Sequence, residues 1–418
     1  MAPDLPDAGV LAELAKACDD HARAALDSDQ VGGVLPRFVV SPGSTAEVAE
    51  VLRVAAQHGV HSVARGAGTK IAWGNAPTAL DLVVDTTRLA GVVEHAAGDL
   101  VVIVGAGTPI EQLQAELRKA DQELAFDNPL PGATVGGSLA TSPSGPRRLL
   151  RGTLRDLLIG VTFVRADGVV AKAGGKVVKN VAGYDFGKLL TGSYGTLGII
   201  TQAIFRLHPV PARSYVVSRT VTDPEDAARA AHELLSSQTV ASAVEVDWPA
   251  EGPATVSALL EGTDEGVTER TRAVAGIADT VPSDGALPPW WGSYPFGPDD
   301  VGLKLTCAIS GLGELLATAR SAAAQLGLPI ALRGSAAGVL HAGLPGDASS
   351  EAVGAVVAAL RERAASYDGS VVVLTAPAAT RDTLDLWGPV PGLTLMRRLK
   401  NELDPAHRLA PGRFVGGI

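Results

Sequence analysis

Cysteine is scarce: Cys18 and Cys307 are the two thiols in 418 residues. Two thiols so far apart build neither a disulfide framework nor a zinc site, and they cannot supply the ligands of an iron–sulfur cluster. Aromatic residues make up 4% of the chain, and 35 Lys and Arg are outnumbered by 45 Asp and Glu. A net charge of −10 leaves no basic face for a phosphate backbone, so nucleic acid is excluded as a partner. No run approaches the roughly 20 apolar residues of a membrane-spanning helix. Met1–Gly9 carries prolines and aspartates where a signal peptide has a basic and then an apolar region. These absences predict a cytoplasmic chain without a transmembrane segment, any membrane association being made through partner subunits.

What is present is a globular composition, 46% hydrophobic and 19% charged, and 48 glycines. Leu11, Leu14, Cys18, Ala22 and Ala25 recur at helical spacing and predict a helix over residues 8–27. Pro36–Val40 reads as a strand. Ser44-Thr45-Ala46-Glu47 has the form of a capping box for a helix that Gly59 ends. Val60–Ala64 then reads as a buried strand leading into Arg65-Gly66-Ala67-Gly68-Thr69-Lys70. Strands at 79–84 and 100–104 and a helix at 109–120, opened by Pro109, follow. From about residue 213 strands alternate with Ala-rich helices, and Val281–Asp300, rich in Pro, Gly and Asp, reads as an extended loop.

The strand ending Gly105-Ala106-Gly107 resembles the start of a dinucleotide fingerprint, but Ile110 stands at the third glycine position and no acidic strand end follows at ribose distance. It reads as a strand–turn–helix joint. Three other segments carry more. Arg65–Lys70 offers small residues that let backbone N–H groups approach a phosphate, with a hydroxyl and two cations beside them. Residues 131–138 are too flexible for a strand and too small for core. Residues 174–198 hold seven glycines in 25 positions, against a chain average of 48 in 418. Three such segments in one half of a chain point to a large anionic ligand threaded along the backbone.

The set ARGAGTK (64–70), PGATVGGSLAT (131–141) and KNVAGYDFGKLLTGSYGTLGIIT (179–201) resembles the FAD-binding domain of the vanillyl-alcohol-oxidase/p-cresol-methylhydroxylase family. LKNELDPAHRLAPGRF (399–414) resembles the closing segment of the branch that includes D-lactate and glycolate dehydrogenases. GPRRLLRGTLRDLLIG (145–160) extends the likeness toward the smaller flavin-binding subunit of bacterial glycolate oxidase. The resemblance implies an α+β fold. It would comprise an N-terminal helix (1–30), a two-subdomain FAD-binding domain of that family (31–211), an α+β cap that takes substrate (212–390) and a C-terminal segment packing back on the FAD domain (391–418). It implies that Arg65, Gly66, Ala67, Gly68, Thr69 and Lys70 hold the pyrophosphate. Pro131, Gly132, Thr134, Gly136, Gly137, Ser138 and Thr141 would line the flavin and its diphosphate, and Gly195, Gly198 and Ile200 the adenine or ribitol end. Thr69 stands where some relatives carry a covalent anchor, so FAD is expected to be non-covalent.

Metal-dependent hydroxy-acid dehydrogenases of that branch carry an HxGDGNxH-like motif. The matching stretch here, Gly334 to His341, keeps only the last histidine, so no metal is expected. Oxidation of an alcohol by flavin needs a base for the hydroxyl and a cation for any carboxylate. His341, Lys304 and Arg333 are the candidates, with Lys179 a further cation and Tyr184 a hydrogen-bond partner on the flavin side. Each serves equally well as a solvated charge or a packing residue. Trp290, Trp291 and Tyr294 form a pocket wall or a docking patch. Arg147, Arg148, Arg151 and Arg155 form the local basic cluster, either a solvated face or a site near phosphate or an acidic partner.

The resulting expectation is an FAD-dependent oxidoreductase acting on CH–OH groups. It would be a flavin-binding subunit of a glycolate oxidase-like complex, with a small hydroxy acid as substrate and a catalytic flavoprotein and an iron–sulfur protein as partners. The depleted 334–341 stretch predicts poor turnover by the isolated chain. The alternatives are a self-sufficient oxidase of a hydroxy acid, alcohol or lactone using O₂, and a non-catalytic subunit that retains a flavin site.

Overall fold

A computed structural model describes residues 5–176, 183–274, 276–277, 283–284 and 286–418. A four-stranded sheet takes the order Ala22–Ala24, Phe38–Val40, Leu82–Asp85, Ser62–Arg65, and its last two neighbouring pairs are parallel. Parallel neighbours need a crossover, supplied by the helix Thr45–Gln57. Ser44 caps that helix by accepting from the Glu47 amide at 3.1 Å, while the Glu47 carboxylate reaches back to the Gly43 amide at 2.8 Å. Its Val48, Val51 and Leu52 are buried. Gly59, at φ +65°, turns the chain out of the helix as its position predicts.

A second sheet is antiparallel, in the order Val92–Ala96, Val101–Gly105, Ile199–Arg206, Leu158–Val164, Val170–Gly174. The joint after Val101–Gly105 is a packing joint: a Cβ on Gly105 would stand 2.2 Å from the Leu89 carbonyl oxygen. The largest sheet has eight strands and its own core. Its order is Ser283–Asp284, Arg213–Val221, Ala254–Gly262, Ala243–Trp248, Ala331–Ser335, Val339–Leu344, Val301–Thr306, Ser370–Thr375. Helices Pro224–Ser236, Leu312–Gln325 and Ser350–Ala365 contribute buried Ala, Leu and Val to that core.

The C-terminal segment returns to the first sheet. The helix Leu393–Leu403 carries Lys400, fully buried, whose ammonium donates to the Thr196 and Leu409 carbonyls at 2.8 Å each and to Asp404 at 2.7 Å. Three acceptors satisfy its three N–H groups, which is what allows a charge to be buried there. Ser62 then exchanges backbone bonds with Arg408 and Ala410.

Three expectations need correction. The N-terminal helix spans Leu5–Ala17 and not 8–27. Asp19 and Asp20 adopt left-handed φ of 51° and 60°, which Asp tolerates, so Ala22 enters a strand. The 131–141 segment is not merely a flexible loop, because Thr134 caps a helix, Val135–Thr141, whose Val135, Ser138 and Leu139 are buried. The expected loop over Val281–Asp300 includes a short edge strand, Ser283–Asp284.

Candidate active site

The strand Ser62–Arg65 delivers the turn 65–70 to the mouth of an open cleft of about 800 Å³. Residues 65–70 line it together with Thr134, Gly136, Gly137, Thr141, Gly195, Gly198 and Ile200, so the three glycine-rich segments meet at one place. A Cβ on Gly66 would stand 2.2 Å from Thr134 Oγ1. The first two loops therefore touch through a residue that must have no side chain. Thr134 Oγ1 in turn accepts from the Gly137 amide at 3.2 Å, closing the N-terminus of the Val135–Thr141 helix.

Charge in this cleft is distributed differently from the expectation. Arg65 is engaged by Asp29 at 3.1 Å and Asp85 at 3.2 Å, so it braces the turn and is not free to meet a phosphate. Lys70 is buried with Thr69 Oγ1 3.3 Å away, and burial lowers its ammonium to about 8. A phosphate beside it would restore the ordinary value. Arg413 also lines the cleft, donating to the Ile71 and Trp73 carbonyls at 2.8 and 2.7 Å. Burial lowers its guanidinium to about 10. Sequence reasoning quoted the segment that holds Arg413 but missed its place, because it is brought to this cleft from more than three hundred residues downstream. Tyr194, Ser193, Thr86 and Ala140, also in the lining, carried no signal of their own.

Three predicted cofactor residues are not brought to the cleft. Pro131 and Gly132 are exposed outside its lining, the Gly132 amide donating to Glu111 at 3.3 Å. Ser138 is buried in the packed face of its helix. Thr141 and Tyr194 also line a second cavity of about 590 Å³, so this chamber adjoins the cleft. Its walls include Trp73, Tyr194, Tyr294, Trp387 and Phe414. In a chain with five Trp, five Tyr and seven Phe, five aromatics on one chamber mark a stacking surface.

Lys304 and His341 face this chamber from neighbouring strands. Register places Arg333 opposite His341 and His341 opposite Lys304, so the three predicted catalytic residues form one row across the large sheet. His341 and Tyr294, with ring centroids 4.6 Å apart, also border a polar lobe lined by Ser144, Arg148, Glu245, Ser293 and Arg333. Burial, then the charges of Lys304 and Arg148, lower the imidazole to about 3, so it is neutral. Burial and Arg148 lower Lys304 to about 8.

The other candidates divide. Arg333 is bound by Asp247 at 2.7 Å, Ser293 Oγ at 2.8 Å and the Tyr294 carbonyl at 3.3 Å, and it lies over the Trp290 ring. Its charge is neutralised, so it positions the Tyr294 loop and is a poor carboxylate anchor. Trp291 packs on Val216, Ala243 and Leu259. Tyr184 is 89% exposed and lines neither cavity, which corrects its expected place beside a flavin. Lys179 lies outside the described residues. Among the described residues no group of three His, Cys, Asp or Glu could hold a metal ion, and no helix is long and apolar enough to cross a membrane.

Residues 36–174 match the family model described as FAD binding domain. The chain is 31% identical to the glycolate oxidase subunit GlcD of Bacillus subtilis over 51% of its own length and 46% of that protein. It is 36% identical to the glycolate oxidase subunit GlcE of Escherichia coli over 38% of its length and 46% of that protein. The chain thus spans under half the length of these curated relatives. A crystal structure of p-cresol methylhydroxylase with substrate bound superposes with a TM-score of 0.77 at 15% identity, covering 99% of this chain and 97% of the other. At that identity the match establishes the fold.

Proposed function

We propose that this chain, which has the p-cresol-methylhydroxylase fold and matches an FAD binding domain over residues 36–174, is an FAD-dependent oxidoreductase that removes a hydride and a proton from the CH–OH group of a small hydroxy acid. The observation that carries this reading is the aromatic chamber beside the FAD cleft, with a neutral imidazole and a half-buried ammonium facing it. We read residues 31–211 as the FAD-binding part, 212–390 as the cap, and 1–30 and 391–418 as segments packed on the former.

The cleft fits FAD because residues 65–70 and Thr134, which a side chain on Gly66 would force apart, line it together, and because Lys70 is a buried cation without an ion-pair partner among the described residues. The amides of residues 66–69 and the Lys70 ammonium would hold the diphosphate. Thr134, Gly136, Gly137 and Thr141 would lie along the flavin, and Gly195, Gly198 and Ile200 along the remainder. Among the described residues no His or Cys lines the cleft. Acid or heat should therefore release FAD into the supernatant, and flavin that stays with the precipitate would contradict non-covalent binding.

When bound, FAD supplies the two-electron acceptor for the substrate's hydride. A substrate carboxylate bound beside these cations would raise the imidazole from its low value, and His341 would then take the hydroxyl proton as the C–H electron pair departs and the carbonyl forms. Lys304 holds the developing oxyanion in a chamber shielded by aromatic rings, where a charge acts strongly. Two cysteines supply no cluster, so electrons would leave through another chain, in the manner of a multi-subunit glycolate oxidase. Lys304, from a different strand, provides a cation that the 334–341 stretch lacks, so the isolated chain is now expected to be reducible by substrate.

The test is anaerobic stopped-flow mixing of FAD-loaded protein with a panel of short 2-hydroxy acids. Bleaching of the flavin by at least one acid, with slow reoxidation in air, is expected. Fast reoxidation would replace the partner-dependent reading with a self-sufficient oxidase. No bleaching by any acid would sink the hydroxy-acid reading.

A further inference from the structure

We infer that Arg148 is the carboxylate-binding residue of this chain, and that the polar lobe it lines is an anion subsite beside the His341–Lys304 pair. This rests on the reading of the chamber as a hydroxy-acid site, and it names the group that selects acids over neutral alcohols.

Arg147 and Arg148 are adjacent in sequence and opposite in circumstance. Arg147 is ringed by Glu123 at 2.6 Å, Asp127 at 2.8 Å and Glu261 at 3.8 Å. Arg148 makes one side-chain hydrogen bond, from Nη1 to Ser144 Oγ at 2.7 Å, and no ion pair among the described residues. A guanidinium carries five N–H donors in a planar fork, so most of its capacity is unused. It is nonetheless half-buried, facing the lobe with His341 and Arg333. A cation removed from bulk water without a counter-ion is costly, and a fork of donors matches a carboxylate in two-point geometry.

The acid residues nearby make no ion pair with it: Asp156, whose charge acts on Arg148, accepts instead from the Thr153 amide and hydroxyl at 2.8 Å each. Asp247 is taken by Arg333. Glu245 is buried, lines the same lobe and has an Oε1 without a hydrogen-bond partner. Burial, with Asp127 next, pushes its carboxyl well above the usual range, which works against a charge there. Lys304 likewise makes no ion pair among the described residues. Two cations flank a neutral imidazole around connected cavities, and the charge they lack is that of one small anion. With its carboxylate on Arg148 in the polar lobe, a 2-hydroxy acid carries its hydroxyl on the next carbon, toward His341 and Lys304. Ser144, which lines both the lobe and the chamber, holds Arg148 at their junction.

The test uses the FAD-loaded protein and oxalate, a two-carbon carboxylate with no C–H bond to oxidise. Oxalate binding is read from the perturbation of the flavin's visible spectrum, so turnover is not needed. Wild type should bind it, and Arg148→Met should weaken binding by about 100-fold with FAD content unchanged, the loss expected for a two-point charge-assisted contact. Arg148→Lys should fall between, since a point charge replaces the fork. Ser144→Ala, which keeps the guanidinium but frees it, should cost about 5-fold and serves if Arg148→Met does not fold. Equal oxalate affinity in wild type and Arg148→Met, or no binding by wild type, overturns the assignment. Oxalate binding that depends on Arg148 without bleaching by any hydroxy acid supports the anion subsite and sinks only the proposed reaction.

Discussion

Gly68→Val should be purified without its flavin, its affinity for FAD lowered by about 100-fold. The cause is more specific than crowding. Gly68 sits at φ +78°, and a Cβ built there would meet only Arg65 Cδ, at 4.0 Å. The space is open because it belongs to the cleft. A valine would therefore be strained by the backbone and would also project its two methyl groups toward the path of the cofactor. Forcing a β-branched residue into left-handed φ costs about 1–3 kcal/mol, enough to flatten the turn and turn its amides away from the diphosphate. Gly98→Ala, at ordinary φ and with nothing within 4 Å of the added carbon, should retain full flavin. Gly105→Ala belongs to another class. Its Cβ would meet the Leu89 carbonyl at 2.2 Å, so it should lower the melting temperature of the apo-protein through the fold. Full FAD occupancy in Gly68→Val would place the diphosphate elsewhere.

His341→Gln should keep FAD and lose flavin reduction by about 10²- to 10⁴-fold, the range of a lost general base. The pH profile carries the sharper expectation. His341 is lowered to about 3, so it is already neutral at every working pH and should produce no acid limb near the ordinary histidine value. Lys304 is lowered to about 8, and an ammonium is charged below its pKa. The reduction rate constant divided by the substrate's apparent dissociation constant should therefore be level through neutrality and fall as pH rises past about 8, where Lys304 discharges. A bound carboxylate favours the charged ammonium, so the same limb in the limiting reduction rate should move to higher pH. Lys304→Met should lower the plateau and abolish the limb. An alkaline limb that survives in Lys304→Met would assign the titration to another group, and a His341→Gln variant reduced at the wild-type rate would remove the imidazole from the chemistry.

Much of this site can be read without coordinates, and the reasons are local. Ser44 and Glu47 predict a helix start because a cap is satisfied within four residues. Gly66 and Gly68 declare a phosphate-type turn because close approach and positive φ exclude side chains wherever the rest of the chain lies. The same holds for the segment around Gly136 and Gly137. The small residues of that segment misled in another respect, because Thr134 organises them into a buried helix. Pro131 and Gly132 belong to the same motif, yet they are exposed and outside the cleft lining. Membership of a motif does not set direction.

The row of Arg333, His341 and Lys304 shows where local reasoning ends. These residues were named from their chemical type, but strand register put them side by side and decided which of them are free. Asp247, two strands from His341, neutralises Arg333, and nothing near Arg333 in sequence announces it. Arg147 and Arg148 are indistinguishable as a basic run. Glu123, Asp127 and Glu261 take one and leave the other facing a cavity, because charge compensation is a property of three-dimensional neighbours. Backbone constraints such as caps, left-handed glycines and small-residue turns are satisfied within a few residues, so the sequence by itself determined the cofactor loops. Whether a cation is free, an imidazole neutral or an aromatic ring part of a chamber depends on burial and on partners hundreds of residues away, and those the tertiary structure alone decided.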